Sequence, residues 1–149
     1  MNTNAPDLSI TPPRSPRVRL GGYPILPRAL DKCRAELAGT NGEYHYNCPL
    51  DQRFLNFAGV DAEGLKQQVI LGKGDGELLE WIRANSKNNP NEVEIAAFAA
   101  FAEQRVAADS GSREFFNGEA SRVGPNRDDI ATWFDLLDLD DYVSFGGKA

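Results

Sequence analysis

Cysteine, histidine and methionine are scarce: the 149 residues hold two Cys, one His and one Met. Two cysteines do not frame a disulfide scaffold, and one histidine beside them does not close a structural zinc site unless carboxylates join. No metal and no cofactor is therefore expected. No apolar run nears the ~20 residues that span a bilayer, and residues 1–19 lack the apolar stretch of a secretory signal. These absences point to a protein of the reducing cytosol without a membrane partner. Basic charge is short as well, with 16 Lys and Arg against 22 Asp and Glu, a net charge of −6. What is present is ordinary for a globular chain, 41% hydrophobic and 26% charged residues. That excludes wholesale disorder, and the length suits one domain.

The charge is unevenly distributed. Residues 1–34 carry six basic side chains (Arg14, Arg17, Arg19, Arg28, Lys32, Arg34) against Asp7 and Asp31, giving +4. The remaining residues carry ten basic and twenty acidic side chains, giving −10. A duplex-binding protein needs a broad basic face, and a body of this charge repels phosphates, so nucleic acid is not an expected partner. The basic segment is expected to lie along its own acidic body, or to hold a small anion or a protein partner.

The first 24 residues read as an extended arm. Pro12, Pro13, Pro16 and Pro24 bar a helix there and push each preceding residue toward extended geometry. Ile10, Val18, Leu20 and Tyr23 give the arm apolar groups to bury. Residues 25–149 read as the helical part. Leu26, Leu30, Cys33 and Leu37 form one stripe, which predicts a helix over 26–38 with Pro27 in its first turn and Gly39 as its stop. On that stripe Cys33 is a core residue. Asn41-Gly42 signals a turn, and residues 43–47 alternate polar and aromatic as an extended connector, at most a minor β element. Pro49 at N1 predicts a second helix ending at Gly59, with Cys48 as its N-cap and Asp51 returning a hydrogen bond to the cap N–H.

Further helices are predicted to open at Asp61 and at Asp75. Another should run from 92 to about 108 behind the Asn91/Glu94 capping box, with Ile95, Phe98, Ala99, Ala102 and Val106 as its stripe. Two more are placed near 112–123 and 129–139. The fold class is thus all-α, a compact single domain of about seven short helices. Its expected core holds Leu30, Leu37, Phe54, Phe57, Trp81, Ile82, Ile95, Phe98 and Trp133. Short helices of this kind hold by tertiary packing rather than by propensity.

Chemistry, if present, belongs to the segment around Cys48. A cysteine capping a helix turns its sulfur toward unpaired N–H groups and the positive end of the dipole, the setting in which redox folds expose a thiolate. Asp51 stands where a C-x-x-C motif would have its second cysteine, which argues against a dithiol site. His45 lies three residues earlier and reaches Cys48 only through a turn. His45, Cys48, Asp51 and Glu43 match no metal-ligand spacing. Gly72-Lys73-Gly74-Asp75-Gly76 lacks the G-x-x-x-x-G-K-[ST] pattern and reads as a connector. Asp135, Asp138, Asp140 and Asp141 lack an ordered oxygen-ligand loop, so calcium is not expected.

Three stretches carry a family resemblance. They are Pro12-Pro13-Arg14-Ser15-Pro16-Arg17-Val18-Arg19-Leu20-Gly21-Gly22-Tyr23, then Ala38-Gly39-Thr40-Asn41-Gly42-Glu43-Tyr44-His45-Tyr46, and Cys48-Pro49-Leu50-Asp51. With Leu26-Pro27-Arg28, Asp31-Lys32, Phe134-Asp135, Asp140-Asp141 and Ser144-Phe145, they resemble the bacterial family called domain of unknown function 5069. The resemblance implies a small, mostly helical, soluble domain without a nameable activity. It draws attention to Arg14, Arg17, Arg19, Arg28, Asp31, Lys32, Tyr44, His45, Tyr46, Cys48 and Asp51. Cys33 stands where the family pattern has Gly or Ala, which weakens a functional role for it.

Three functions are compatible with these residues. A binding module would take a small anionic or mixed-charge ligand, or a protein partner, with Arg17 or Arg19 gripping an acidic group, Tyr44 or Tyr46 as wall, and Asp51 disfavouring a bare phosphate. A thiol-dependent enzyme would use Cys48 as nucleophile and His45 as base. A structural or oligomerisation protein would dock its arm on a second copy.

Overall fold

Proline and glycine punctuate the chain, and the helices fall between them. In the computed structural model, which describes residues 4–149, the described part is all-α. Its helices are α1 (Leu26–Ala38), α2 (Pro49–Ala58), α3 (Ala62–Ile70), α4 (Asp75–Asn85), α5 (Glu92–Gln104), α6 (Ser110–Val123) and α7 (Trp133–Ser144). Among the described residues the only β pairing outside helices is an isolated bridge between Leu20 and Tyr23. The chain forms two compact units, Met1–Ala99 and Ala100–Ala149.

In the first unit α1 is central, packed against α2 and α3, with α3 also against α4. Gly39, in the left-handed region at φ 73°, ends α1. Leu26, Ala29, Leu30, Cys33 and Ala35 are buried with Phe54, Leu55 and Ala58 of α2, Leu65 and Val69 of α3, and Leu78 and Ile82 of α4. Tyr23 meets Phe54 edge-on at 5.0 Å between ring centroids, and Phe57 stacks on Phe98 at 4.3 Å. Phe57, Trp81, Ile95 and Phe98 are only half-buried. Leu37, placed in the core by its stripe, is 41% exposed. It sits in the last turn of α1, where the chain reverses at Gly39 and no longer covers that face.

Tyr23 holds the arm to this unit as its apolar spacing indicated, but the other anchors are residues that spacing passed over. Ile10 and Val18 are exposed, whereas Leu8 is 1% exposed and Pro13, Pro16, Tyr23 and Pro24 are buried. Leu8 donates its N–H to the Thr40 carbonyl at 2.8 Å, Thr40 Oγ1 donates to the Pro6 carbonyl at 2.9 Å, and Ile25 N–H donates to the Pro16 carbonyl at 2.9 Å. Gly42 lets residue 8 approach, since a Cβ there would stand 2.7 Å from the Leu8 carbonyl oxygen. Ile25, buried and directly before α1, is held at φ 74°, a conformation rare for a β-branched residue.

The second unit is a helix pair. Phe116 and Val123 of α6 pack on Leu136 and Leu139 of α7, with Ala107, Ala120, Ile130, Trp133 and Val143 around them. Here the boundaries moved. The helix expected to reach about 108 stops at Gln104, because the Arg105 carbonyl accepts the Trp133 N–H at 3.0 Å, and Val106 lies beyond the helix and exposed. The last helix begins at Trp133 rather than 129. Arg127 pairs with Asp129 at 2.7 Å in the preceding loop, and the cap is Thr132, whose side chain accepts from the Asp135 N–H.

Candidate functional site

Four of the seven residues 28–34 in α1 are charged, yet Arg28, Lys32 and Arg34 are buried. Buried cations need partners, because an unpaired charge in a low-dielectric interior is strongly disfavoured. Each finds one through the arm or a neighbouring helix. Arg14 of the arm grips Asp31 with two parallel contacts, Nη2 to Oδ1 at 2.9 Å and Nε to Oδ2 at 3.0 Å, while its backbone N–H donates to Oδ2 at 3.0 Å. Its Nη1 reaches Asp75 at 2.7 Å, and Arg34 holds the other Asp75 oxygen at 2.8 Å. Burial opposes ionisation of Asp75, but the hydrogen bonds from Arg14 and Arg34 outweigh it and hold the carboxyl below its ordinary range. Arg28 donates to the Arg14 carbonyl at 3.3 Å and lies over the Tyr44 ring, 5.5 Å from its centroid.

Asp75 is available for this network because α4 is capped one residue earlier than the sequence indicated. Gly74 is the N-cap, its N–H donates to Glu77 at 3.3 Å, and Asp75 becomes the first helical residue. The glycine-rich 72–76 stretch is thus the connector between α3 and α4.

The second cluster lies where α1 meets the start of α2. Lys32 Nζ stands 2.9 Å from Asp51 Oδ1 and 3.1 Å from Cys48 Sγ, with the two charged side chains 4% and 0% exposed. Asp51 Oδ2 accepts the N–H of Asn47 at 2.9 Å. That bond, from a residue held at φ 63°, stands where one to the Cys48 N–H was expected. Cys48 is the N-cap by backbone geometry but makes no side-chain cap hydrogen bond. Asp51 Oδ1 is buried and is held by the ion pair to Lys32 alone among the described residues.

The connector alternates as its sequence does. Tyr44 and Tyr46 are half-buried, while Glu43, His45 and Asn47 are exposed. Tyr46 is anchored at both ends, its N–H donating to Glu36 at 3.0 Å and its hydroxyl to the Ala62 carbonyl at 2.7 Å. Burial raises the Tyr46 phenol above its ordinary pKa, with the negative charges of nearby Asp51, Asp61 and Glu63 adding to the shift. Burial likewise pushes the Cys33 thiol up to about 12, which leaves it a protonated core group. Arg17 and Arg19 lie on the exposed side of the arm, with the Arg17 N–H on Ser15 Oγ at 3.2 Å. The structure therefore brings Cys48, Asp51 and Lys32 together, and Tyr44 with Arg28.

A family model for a domain of unknown function, DUF5069, matches residues 10–143, which includes the arm from residue 10 on, both clusters and most of α7. The chain belongs to the DUF5069 family. No curated protein matches it. Among the described residues, no helix of this DUF5069 chain is long and apolar enough to cross a membrane. Lys32 is the member of the site that spacing arguments passed over, since it lies off the α1 stripe and reads as a solvated charge. The available signal was the density of charge in 28–34 on a helix whose Ala29, Leu30, Cys33 and Ala35 are apolar.

Proposed function

We propose that this DUF5069 chain is a binding module whose recognition surface is the 43–51 segment with the adjoining basic arm. The observation that carries the reading is the base on which the segment rests. Tyr46 and Asn47 are fixed through their N–H groups to Glu36 and to the fully buried Asp51, and Asp51 is ion-paired to Lys32. A buried ion pair is a poor source of net stability compared with apolar residues of the same volume, and its best-attested use is to fix one arrangement. The arrangement fixed here presents His45 and Asn47 to solvent beside the Tyr44 ring that Arg28 covers. A ligand of mixed charge fits this surface: an acidic group for the arm arginines, Arg17 or Arg19, with Tyr44 as wall, and a group tolerant of Asp51 near the start of α2. A small metabolite or a protein terminus has that chemistry, and two thiols outside any disulfide accord with a cytosolic setting.

Amide chemical-shift titration of the intact chain with a panel of carboxylates, nucleotides and short peptides tests the reading. Shifts centred on residues 43–51 support it; shifts confined to the surroundings of Trp133 overturn the placement. A second reading, a thiol-dependent enzyme with Cys48 as nucleophile, is favoured by the 3.1 Å approach of Lys32 Nζ to the sulfur. In it His45, exposed next to the site, would have to turn inward to serve as base. Alkylation of Cys48 at about pH 6.5 at a thiolate-like rate supports that reading, and an unreactive thiol removes it.

A further inference from the structure

Lys32 lies in α1 and Cys48 caps α2, sixteen residues apart in sequence, yet nitrogen and sulfur meet at 3.1 Å. The lysine is almost fully buried, so its amine has no solvent alternative to the two groups it faces, Cys48 Sγ and Asp51 Oδ1. Cys48 is half-buried at the head of α2, within reach of a small solute, while Cys33 is closed off in the core. We propose that Cys48 and Lys32 form an oxidative cross-link: a hydroperoxide oxidises the Cys48 thiol, and the Lys32 amine captures the product as an S–N bond.

The chemistry balances in two steps. The thiol attacks the peroxide O–O bond, becoming a sulfenic acid while the peroxide is reduced to water or, for an organic hydroperoxide, to an alcohol. Lys32 then gives its extra proton to Asp51. The neutral amine attacks sulfur, the S–O bond breaks, and a second water leaves with the hydroxyl and one amine hydrogen. Sulfenic acids are known to condense with nitrogen in this way. Asp51 Oδ1 is the acceptor at hand for that proton, 2.9 Å from Nζ in a buried ion pair. The product holds a neutral sulfenamide beside a neutral carboxylic acid, so the pair loses both charges together and no single charge is left buried. The bond ties α1 to the N-terminus of α2 and can be undone by a thiol reductant. The inference does not depend on ligand binding by the 43–51 segment.

Hydrogen peroxide titration of the intact chain, read by whole-protein mass and peptide mapping, tests it. The expected result is a loss of about two mass units, reversed by a thiol reductant, with the peptide carrying Lys32 linked to the one carrying Cys48. A Cys33–Cys48 disulfide gives the same mass, so Cys33→Ala is required to keep the loss. Lys32→Arg, which retains a cation for Asp51 but no amine able to form the bond, is required to abolish it. Oxygen accumulating on Cys48 with no link to Lys32 in the unmodified sequence overturns the proposal, as does loss of the mass change in Cys33→Ala.

Discussion

Replacing Lys32 by methionine removes the only cation that, among the described residues, pairs with the fully buried Asp51, and leaves that carboxylate with the Asn47 N–H as its one described partner. At 2.9 Å the attraction between the two charges is about 6 kcal/mol for an effective dielectric of about 20. Methionine recovers part of this, since burying the ammonium was itself unfavourable, and the net loss on breaking a buried pair is about 3–5 kcal/mol. Joint replacement, Lys32→Met with Asp51→Leu, removes both desolvation costs. It leaves chiefly the Asn47 N–H without its acceptor, for an expected loss of about 1–2 kcal/mol. Lys32→Met, the double variant, the parent and Asp51→Leu alone make a complete double-mutant cycle. Urea unfolding followed by Trp81 fluorescence, in a Trp133→Phe background, reports on the unit that contains the pair. The Lys32→Met midpoint should fall by about 2 M for a slope near 2 kcal/mol per M. A single-variant loss below about 1 kcal/mol refutes the reasoning, as does a double variant no more stable than Lys32→Met.

Other perturbations test other parts of the structure. Leu8→Ala should cost about 2–5 kcal/mol, because its side chain is closed in, whereas Ile10→Ala at a 74% exposed position should stay within about 0.5 kcal/mol in the same urea assay. Phe54→Ala, at a fully buried ring, should cost about 3–5 kcal/mol, and Phe98→Ala clearly less because that ring is half-buried. Asp75 has its folded-state carboxyl lowered by Arg14 and Arg34 against the opposing effect of burial. Its contribution is therefore complete above the unfolded value of about 3.9 and fades as pH falls from there through the lower folded value. Arg14→Ala should flatten that part of the stability–pH curve between about pH 5 and pH 2 and reduce its salt dependence; an unchanged slope would show the network to be energetically idle.

The local punctuation was legible from sequence because local chemistry decides it. Pro27 and Gly39 bound α1 and Pro49 and Gly59 bound α2, positions where a missing N–H or a left-handed turn is required whatever packs around them. Asp61 caps α3 by the same local logic, accepting from the Gly64 N–H. The all-α class was readable for that reason too, since capping signals and apolar stripes lie within a single turn or helix.

What sequence left undecided depended on which surfaces meet. Leu37 follows its stripe but lies past the point where the chain covers α1, and Leu8 rather than Ile10 is enclosed because Gly42 and Thr40 receive it. Lys32 and Arg28 look like solvated charges in a helical register, and only tertiary contact with Asp51, Cys48, Arg14 and Tyr44 makes them buried partners. Periodicity assigns residues to a side of a helix. Whether that side is wet or dry is set by elements far away in the chain, and a charge is drawn into the dry interior only when such an element brings a partner for it.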